Sequence, residues 1–131
     1  MSHFVDTNIV VYSVVPGDKA NRALDKLTGA TISVQILNEF SNVALRKLDY
    51  DAETLEIQIN AMTALAAAIM PIDLETHHIA RDVTAKYRLN FYDSLVIASA
   101  LIANCDTLYS EDMHHGMVIE GRLTIRNPFI N

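Results

Sequence analysis

Phe4-Val5-Asp6-Thr7-Asn8 (FVDTN) is the stretch whose reading decides the fold. Phe4 and Val5, with His3 before them, read as a short buried strand. Three small polar residues follow, and the chain turns apolar again at Ile9, Val10 and Val11. A carboxylate at the mouth of a first strand needs an explanation. If that strand belongs to an open parallel sheet, Asp6 stands on the edge where such sheets collect ligands.

Working outward, the sequence supplies further strands of the same kind. Ala20 to Leu27 has the pattern of a short helix ended by Gly29, and Thr31-Ile32 reads as a second strand. Ser33 is placed to cap a helix running through Lys47, with Ile36, Phe40, Val43, Ala44 and Leu48 on one face. Asp51 is placed to cap a long helix from Ala52 to about Ala68. Met70-Pro71-Ile72 reads as a third strand in spite of its proline, and a helix over 75–88 follows. Tyr92 to Asn104 is apolar nearly all round, which predicts a helix in the interior. Thr107-Leu108-Tyr109 and Leu123-Thr124-Ile125 close the set. Short apolar strands separated by helices predict an α/β fold, a central parallel sheet with helices on both faces.

With 131 residues the chain predicts one domain, able to bury about two thirds of its unfolded surface. Half the residues are hydrophobic and 20% are charged, a globular balance. The longest apolar tracts, Ala64 to Ile72 and Leu95 to Ala103, fall short of the roughly 20 residues that span a bilayer. No basic stretch leads into a long apolar run, and the single cysteine, Cys105, excludes an internal disulfide. These features predict a soluble, cytoplasmic protein. The net charge of −6 speaks against a nucleic-acid partner unless the acids are gathered in one place.

Four acids share an address. Asp6 follows the first strand, Glu39 lies in the helix after the second, Asp93 opens the buried helix, and Asp112 follows the Thr107 strand beside Ser110 and Glu111. On parallel neighbours these side chains come to one rim. Clustered carboxylates repel one another and raise each other's pKa, so they make a poor structural device without a cation. An oxygen-only ligand set suits Mg²⁺ or Mn²⁺, and a bound ion reverses the local charge. Without these four acids the net charge is −2, so the acidic total weighs little against a phosphate substrate.

Each acid also has an ordinary structural role open to it. Asp6 fits an N-cap, Asp93 a first-turn helix acid, Glu39 a flanking charge and Asp112 a loop residue bonding its own backbone. His114-His115 lacks the further ligands that zinc needs at helical spacing and reads as a solvated loop. Cys105 ends an apolar helix with no activating base nearby in sequence and reads as packing.

Four stretches, FVDTNIVVYS, ISVQILNEF, FYDSLVIASA and CDTLYSEDMHHGMVIEGRLTIRNPF, together resemble the PIN domain family, in particular its VapC-like toxin ribonucleases. Their order and spacing extend over nearly the whole chain. The resemblance implies an α/β/α sandwich, often paired as a homodimer. It places the family's acids on Asp6, Glu39, Asp93 and Asp112, with Thr7 or Asn8, and Ser110, as supporting polar side chains. Glu111 and Asp112 are adjacent and either can serve as the fourth acid; the small-polar, any-residue, acid pattern over Ser110-Glu111-Asp112 favours Asp112.

The resemblance implies divalent-metal-dependent hydrolysis of RNA phosphodiesters, with Asp6 and Asp93 as the main ligands of Mg²⁺ or Mn²⁺. Glu39 and Asp112 would then hold waters or a second ion. Arg22, Lys26, Arg46, Lys47 and Arg88 are candidates for contacts with flanking phosphates. The expected partner is a small antitoxin whose tail fills the acidic groove. A PIN-shaped binding module without catalysis is the competing reading. A phospho-acceptor receiver would need a lysine after a late strand and adjacent acids at the first strand, and the sequence offers neither.

Overall fold

The computed structural model describes residues 2–130. Its elements run β1 (His3–Val5), α1 (Thr7–Val14), α2 (Ala20–Leu27), β2 (Thr31–Ser33), α3 (Val34–Lys47) and α4 (Ala52–Leu65). Then come β3 (Ala68–Met70), α5 (Leu74–Tyr87), α6 (Phe91–Ile102), β4 (Thr107–Tyr109), β5 (Val118–Ile119) and β6 (Leu123–Arg126). The strands form one sheet in the order β3-β2-β1-β4-β6-β5, parallel throughout except for β5, which runs antiparallel to β6.

From β1 the chain moves outward through β2 to β3, then crosses back and lays β4 on the other side of β1. Right-handed crossovers place helices on one face while the strand order advances in one direction, and on the opposite face once it reverses. The packing follows that rule: α1 packs on α2 and α3, and α3 on α4, while α5 packs on α6. The result is a three-layer α/β/α sandwich. The reversal between β1 and β4 is the switch point at which ligands bind open parallel sheets.

The strands are short but deeply buried. Phe4, Val5, Ile32, Leu108, Leu123 and Ile125 are fully enclosed and meet Ile36, Phe40 and Ile97 from the helices. Side chains of this size each contribute about 1.5–3 kcal/mol when buried. All residues of α6 from Ser94 to Leu101 are buried, as the all-round apolar pattern implies. Ser33 caps α3 by accepting from Ile36 N, and Asp51 caps α4 by accepting from Thr54 N.

The structure differs from the sequence reading in three places. The third strand is Ala68–Met70, with α4 ending earlier at Leu65; Ile69 pairs with Ile32 and Met70 with Ser33, and Pro71 follows the ladder, where its missing N–H does no harm. The apolar run after Asn8 is a helix, α1. The two-residue β5 has no signal of its own. A turn at Glu120 and Gly121, with φ of 53° and 68° and an Arg122 N to Ile119 O bond of 3.1 Å, folds it onto β6.

Candidate functional site

The parallel ladder continues past the strand ends and fixes the first two site residues. Asp6 N donates to Tyr109 O at 3.0 Å, and Ser110 N donates to Arg126 O at 3.0 Å. Asp6 and Ser110 therefore stand side by side at the carboxyl ends of β1 and β4, on the switch point. The Ser110 hydroxyl donates to Asp6 Oδ2 at 2.8 Å, and Thr7 N donates to Asp6 Oδ1 at 2.7 Å. Asp6 is thus the N-cap of α1, its ordinary role, and is also buried at the rim, with 7% exposure.

Glu39 reaches the same rim from α3. Thr7 Oγ1 donates to its Oε2 at 3.2 Å, and Gln35 Nε2, one helical turn earlier, donates to its Oε1 at 2.6 Å. Asp93 sits in the first turn of α6, where Asn90 caps the helix by accepting from Asp93 N at 2.8 Å and donates its Nδ2 to Asp93 Oδ2 at 2.8 Å. Asp112 is exposed, and Asn8 Nδ2 donates to its Oδ2 at 3.1 Å. Four acids from four separate segments are brought to one rim, each oriented by a neutral partner.

Their electrostatics show how close they lie. Burial pushes Asp6 up to about 6 against the lowering effect of the Ser110 and Thr7 bonds, with Asp93 and Glu39 raising it further. Asp93 is raised chiefly by burial, opposed by Asn90, with Asp112 and Glu39 adding to the rise. The ion pairs among the described residues join Lys19 to Glu111, Lys26 to Asp25 and Lys86 to Glu120, and none reaches these four acids. The rim is a concentration of negative charge that no ion pair among the described residues compensates.

The sequence reading gathered the four carboxylates on one rim as a cluster. The structure brings them to one rim but not into a closed cage: among the described residues no group of three or more His, Cys, Asp or Glu side chains is spaced to hold an ion. That spacing still fits Mg²⁺, which takes one or two carboxylates and keeps several waters. The donors are all oxygen, and Asp6 is held at raised pKa chiefly by burial, with Asp93 and Glu39 adding to it, a cost that an added cation would relieve.

Of the adjacent pair, Glu111 turns away from the acids to Lys19 and to the Tyr12 hydroxyl, which donates to Oε1 at 2.6 Å. The sequence reading missed Gln35 and Asn90. Their signals were local: Gln35 stands four residues before Glu39, and Asn90 three before Asp93 at a helix start. His115 accepts from Asn127 N at 2.9 Å in an exposed loop, and Cys105 is buried. Lys47 lines a cleft of about 430 Å³ together with Thr7, Asn8, Tyr12, Val43 and Asp112. Lys26 instead lies over the Tyr109 ring, and Arg22 reaches Pro128 O. No described helix is long and apolar enough to cross a membrane.

The sequence profile of the PIN domain matches residues 3–116. The chain belongs to the PIN domain family. Its fold agrees with solved structures of low sequence identity. One is a chain of a toxin–antitoxin complex from Klebsiella pneumoniae, 17% identical over 98% of both chains, with a TM-score of 0.73. A second comes from VapBC2 of Rickettsia felis bound to a DNA fragment from its promoter, 19% identical over 97% of this chain and 98% of that one, TM-score 0.69. A third is VapC20 of Mycobacterium tuberculosis, described as a toxin that cleaves the sarcin-ricin loop. It is 15% identical over 85% of this chain and 92% of its own, with a TM-score of 0.67. No curated protein sequence matches this PIN domain.

Proposed function

We propose that this PIN domain is a divalent-metal-dependent endoribonuclease acting in the cytoplasm as the toxin of a toxin–antitoxin pair. The observation that carries the reading is the convergence of Asp6, Glu39, Asp93 and Asp112 on the switch point with no cation among the described residues to pair them. Asp6 and Asp93 would hold Mg²⁺ or Mn²⁺. When bound, the ion supplies an activated water and charge stabilisation at the phosphoryl oxygens.

The chain's own residues set the geometry. Ser110 and Thr7 N fix the two oxygens of Asp6, and Asn90 fixes Asp93. Glu39, held by Thr7 and Gln35, and Asp112, held by Asn8, would accept from water around a bound ion. Lys47 meets a phosphate beside the scissile one from the cleft next to Asp112. An unpaired RNA segment is the natural substrate, since its bases can be splayed out along the rim.

Two partners follow from the same surface. An antitoxin tail carrying arginine would neutralise the rim in the ion's place; the similar Klebsiella structure is described as a toxin–antitoxin complex and the Rickettsia one as VapBC2. Val34, Ile72, Leu74 and Tyr92 expose 42%, 38%, 69% and 71% of their area, and Val34, Ile72, Tyr92 and the more enclosed Leu95 line an apolar cavity of about 770 Å³ next to Glu39. A second copy of the chain covering this patch would give the homodimer.

The test is incubation of purified protein with a mixed structured RNA pool, with Mn²⁺ or Mg²⁺ and then with EDTA, beside an Asp93→Asn variant. Cleavage that needs both the metal and Asp93 is the expected result. Absence of cleavage together with no change in melting temperature on adding metal would sink the nuclease reading and leave a PIN-fold binding module.

A further inference from the structure

Glu111 and Asp112 are consecutive residues of a non-helical loop, and their side chains leave the chain in different directions. Something must decide which of them faces the rim. Asn8 and Tyr12, four residues apart on one face of α1, hold the loop at two points. Asn8 Oδ1 accepts from Glu111 N at 3.2 Å, while its Nδ2 donates to Asp112 and, at 3.5 Å, to Ser110 Oγ. Ser110 Oγ in turn accepts from Met113 N at 3.3 Å and donates to Asp6.

The Glu111 side chain goes the other way. Tyr12 takes one of its oxygens and Lys19, at the start of α2, takes the other. The Lys19 ammonium lies 4.6 Å from the centre of the Tyr12 ring and 5.1 Å from that of Phe129, and these two rings meet edge to face at 5.3 Å. The clamp therefore draws on three separate parts of the chain: α1, the start of α2 and the C-terminal segment. With its two oxygens engaged and its charge matched by Lys19, Glu111 has little left to offer an ion.

We propose that Glu111 is a positioning residue. Anchored by Lys19, Tyr12 and Phe129, it turns the loop after β4 so that Asn8 presents Asp112 to the acidic rim. The effect on catalysis rests on the nuclease reading; the placement of Asp112 does not.

The experiment has two arms on the full chain. In the first, the Asn8 side-chain amide is followed by NMR in metal-free protein. Glu111→Gln and Lys19→Met should move its resonances in the same direction as Asp112→Asn, Lys19→Arg should restore them, and remote Lys86→Met should leave them alone. Tyr12→Phe, the mildest change, keeps the arm readable if Lys19→Met fails to fold.

In the second arm, kcat and KM for Mn²⁺-dependent RNA cleavage are measured across a double-mutant cycle. Glu111→Gln should lower kcat about tenfold with KM unchanged in the wild-type background. In the Asp112→Asn background the same change should cost less than about twofold, because its route is already cut. An unmoved Asn8 amide, or an equal loss in both backgrounds, would overturn the proposal. A wild-type protein that does not cleave would instead defeat the nuclease reading, and the Asn8 resonances would still decide the placement.

Discussion

Asp6 and Glu111 belong to one hydrogen-bonded network, joined through Ser110 and Asn8, yet their surroundings are opposite. Asp6 is buried, faces Asp93 and Glu39, and is pushed up to about 6. Glu111 is partly exposed, is bonded to Lys19 and Tyr12, and is held below the usual carboxylate range by those two partners. Glu120, at the far side of the sheet, follows the second pattern with Lys86 and Tyr87. At Glu111 and Glu120 a lysine matches the charge of the acid. On the rim the protein supplies neutral donors, Ser110, Thr7, Asn8, Gln35 and Asn90, which orient carboxylates and leave their charge in place. A charge left in place is available to an ion.

The largest expected effect tests that difference through chemistry. Asp93→Asn, which keeps the shape and removes the charge, should lower Mn²⁺-dependent RNA cleavage by about 100-fold or more. Glu120→Gln, measured in the same gel assay, should leave the rate unchanged. Equal losses would mean that the rim acids are not distinct from the structural ones.

Metal binding sharpens the contrast without a substrate. At a free concentration about 100 times its dissociation constant, Mg²⁺ or Mn²⁺ should stabilise the wild-type fold by about 2.7 kcal/mol. Urea melts of Asp6→Asn should show most of that gain gone, and those of Glu120→Gln should keep it.

Without metal the sign at Asp6 reverses. Its folded pKa of about 6 lies above the ordinary aspartate value of 3.8, so the folded state binds the proton more tightly than the unfolded chain. The cost is absent below about pH 4 and fully present above about pH 6, so the metal-free protein loses stability as pH rises through that window. The shift, which already nets the bonds from Ser110 and Thr7 against burial, corresponds to at most about 3 kcal/mol, so Asp6→Asn should stabilise metal-free protein at pH 7 by up to about that amount. A destabilised variant at pH 7 would break the comparison.

The smallest effect is at the exposed pair. Glu120→Gln should leave the melting temperature within error of wild type, and adding salt to the wild-type protein should mimic the change, because exposed ion pairs are screened.

Much of the fold was legible from local chemistry. Ser33 and Asp51 announced helix starts that the structure keeps, and the nearly all-round apolar character of Tyr92 to Asn104 announced the buried helix. Asp6 at the end of Phe4-Val5 was legible as a strand-end carboxylate for the same reason: a short apolar strand and a polar cap are neighbours in sequence. Helix α1 was harder, because Ile9 to Val11 is β-branched and has weak helical preference; the Asp6 cap and packing against α2 and α3 override it. The shift of β3 to Ala68–Met70 and the existence of β5 depend on ladder partners far along the chain, which local pattern does not carry.

By itself the sequence determined which residues carry negative charge, which of them stand at element boundaries, and the alternation of strand and helix that brings those boundaries to one edge. Strand order was left to the tertiary structure. Only the placement of β4 beside β1 puts Ser110 against Asp6 and brings Asn8 to Asp112, contacts spanning 104 residues each. The direction of the Glu111 side chain was decided in the same way. It depends on Lys19 and Tyr12, which lie 92 and 99 residues from Glu111 and become its neighbours once the sheet has closed around the core. Charge and helix-capping chemistry are properties of a few adjacent residues, whereas the partner of a charge is set by packing.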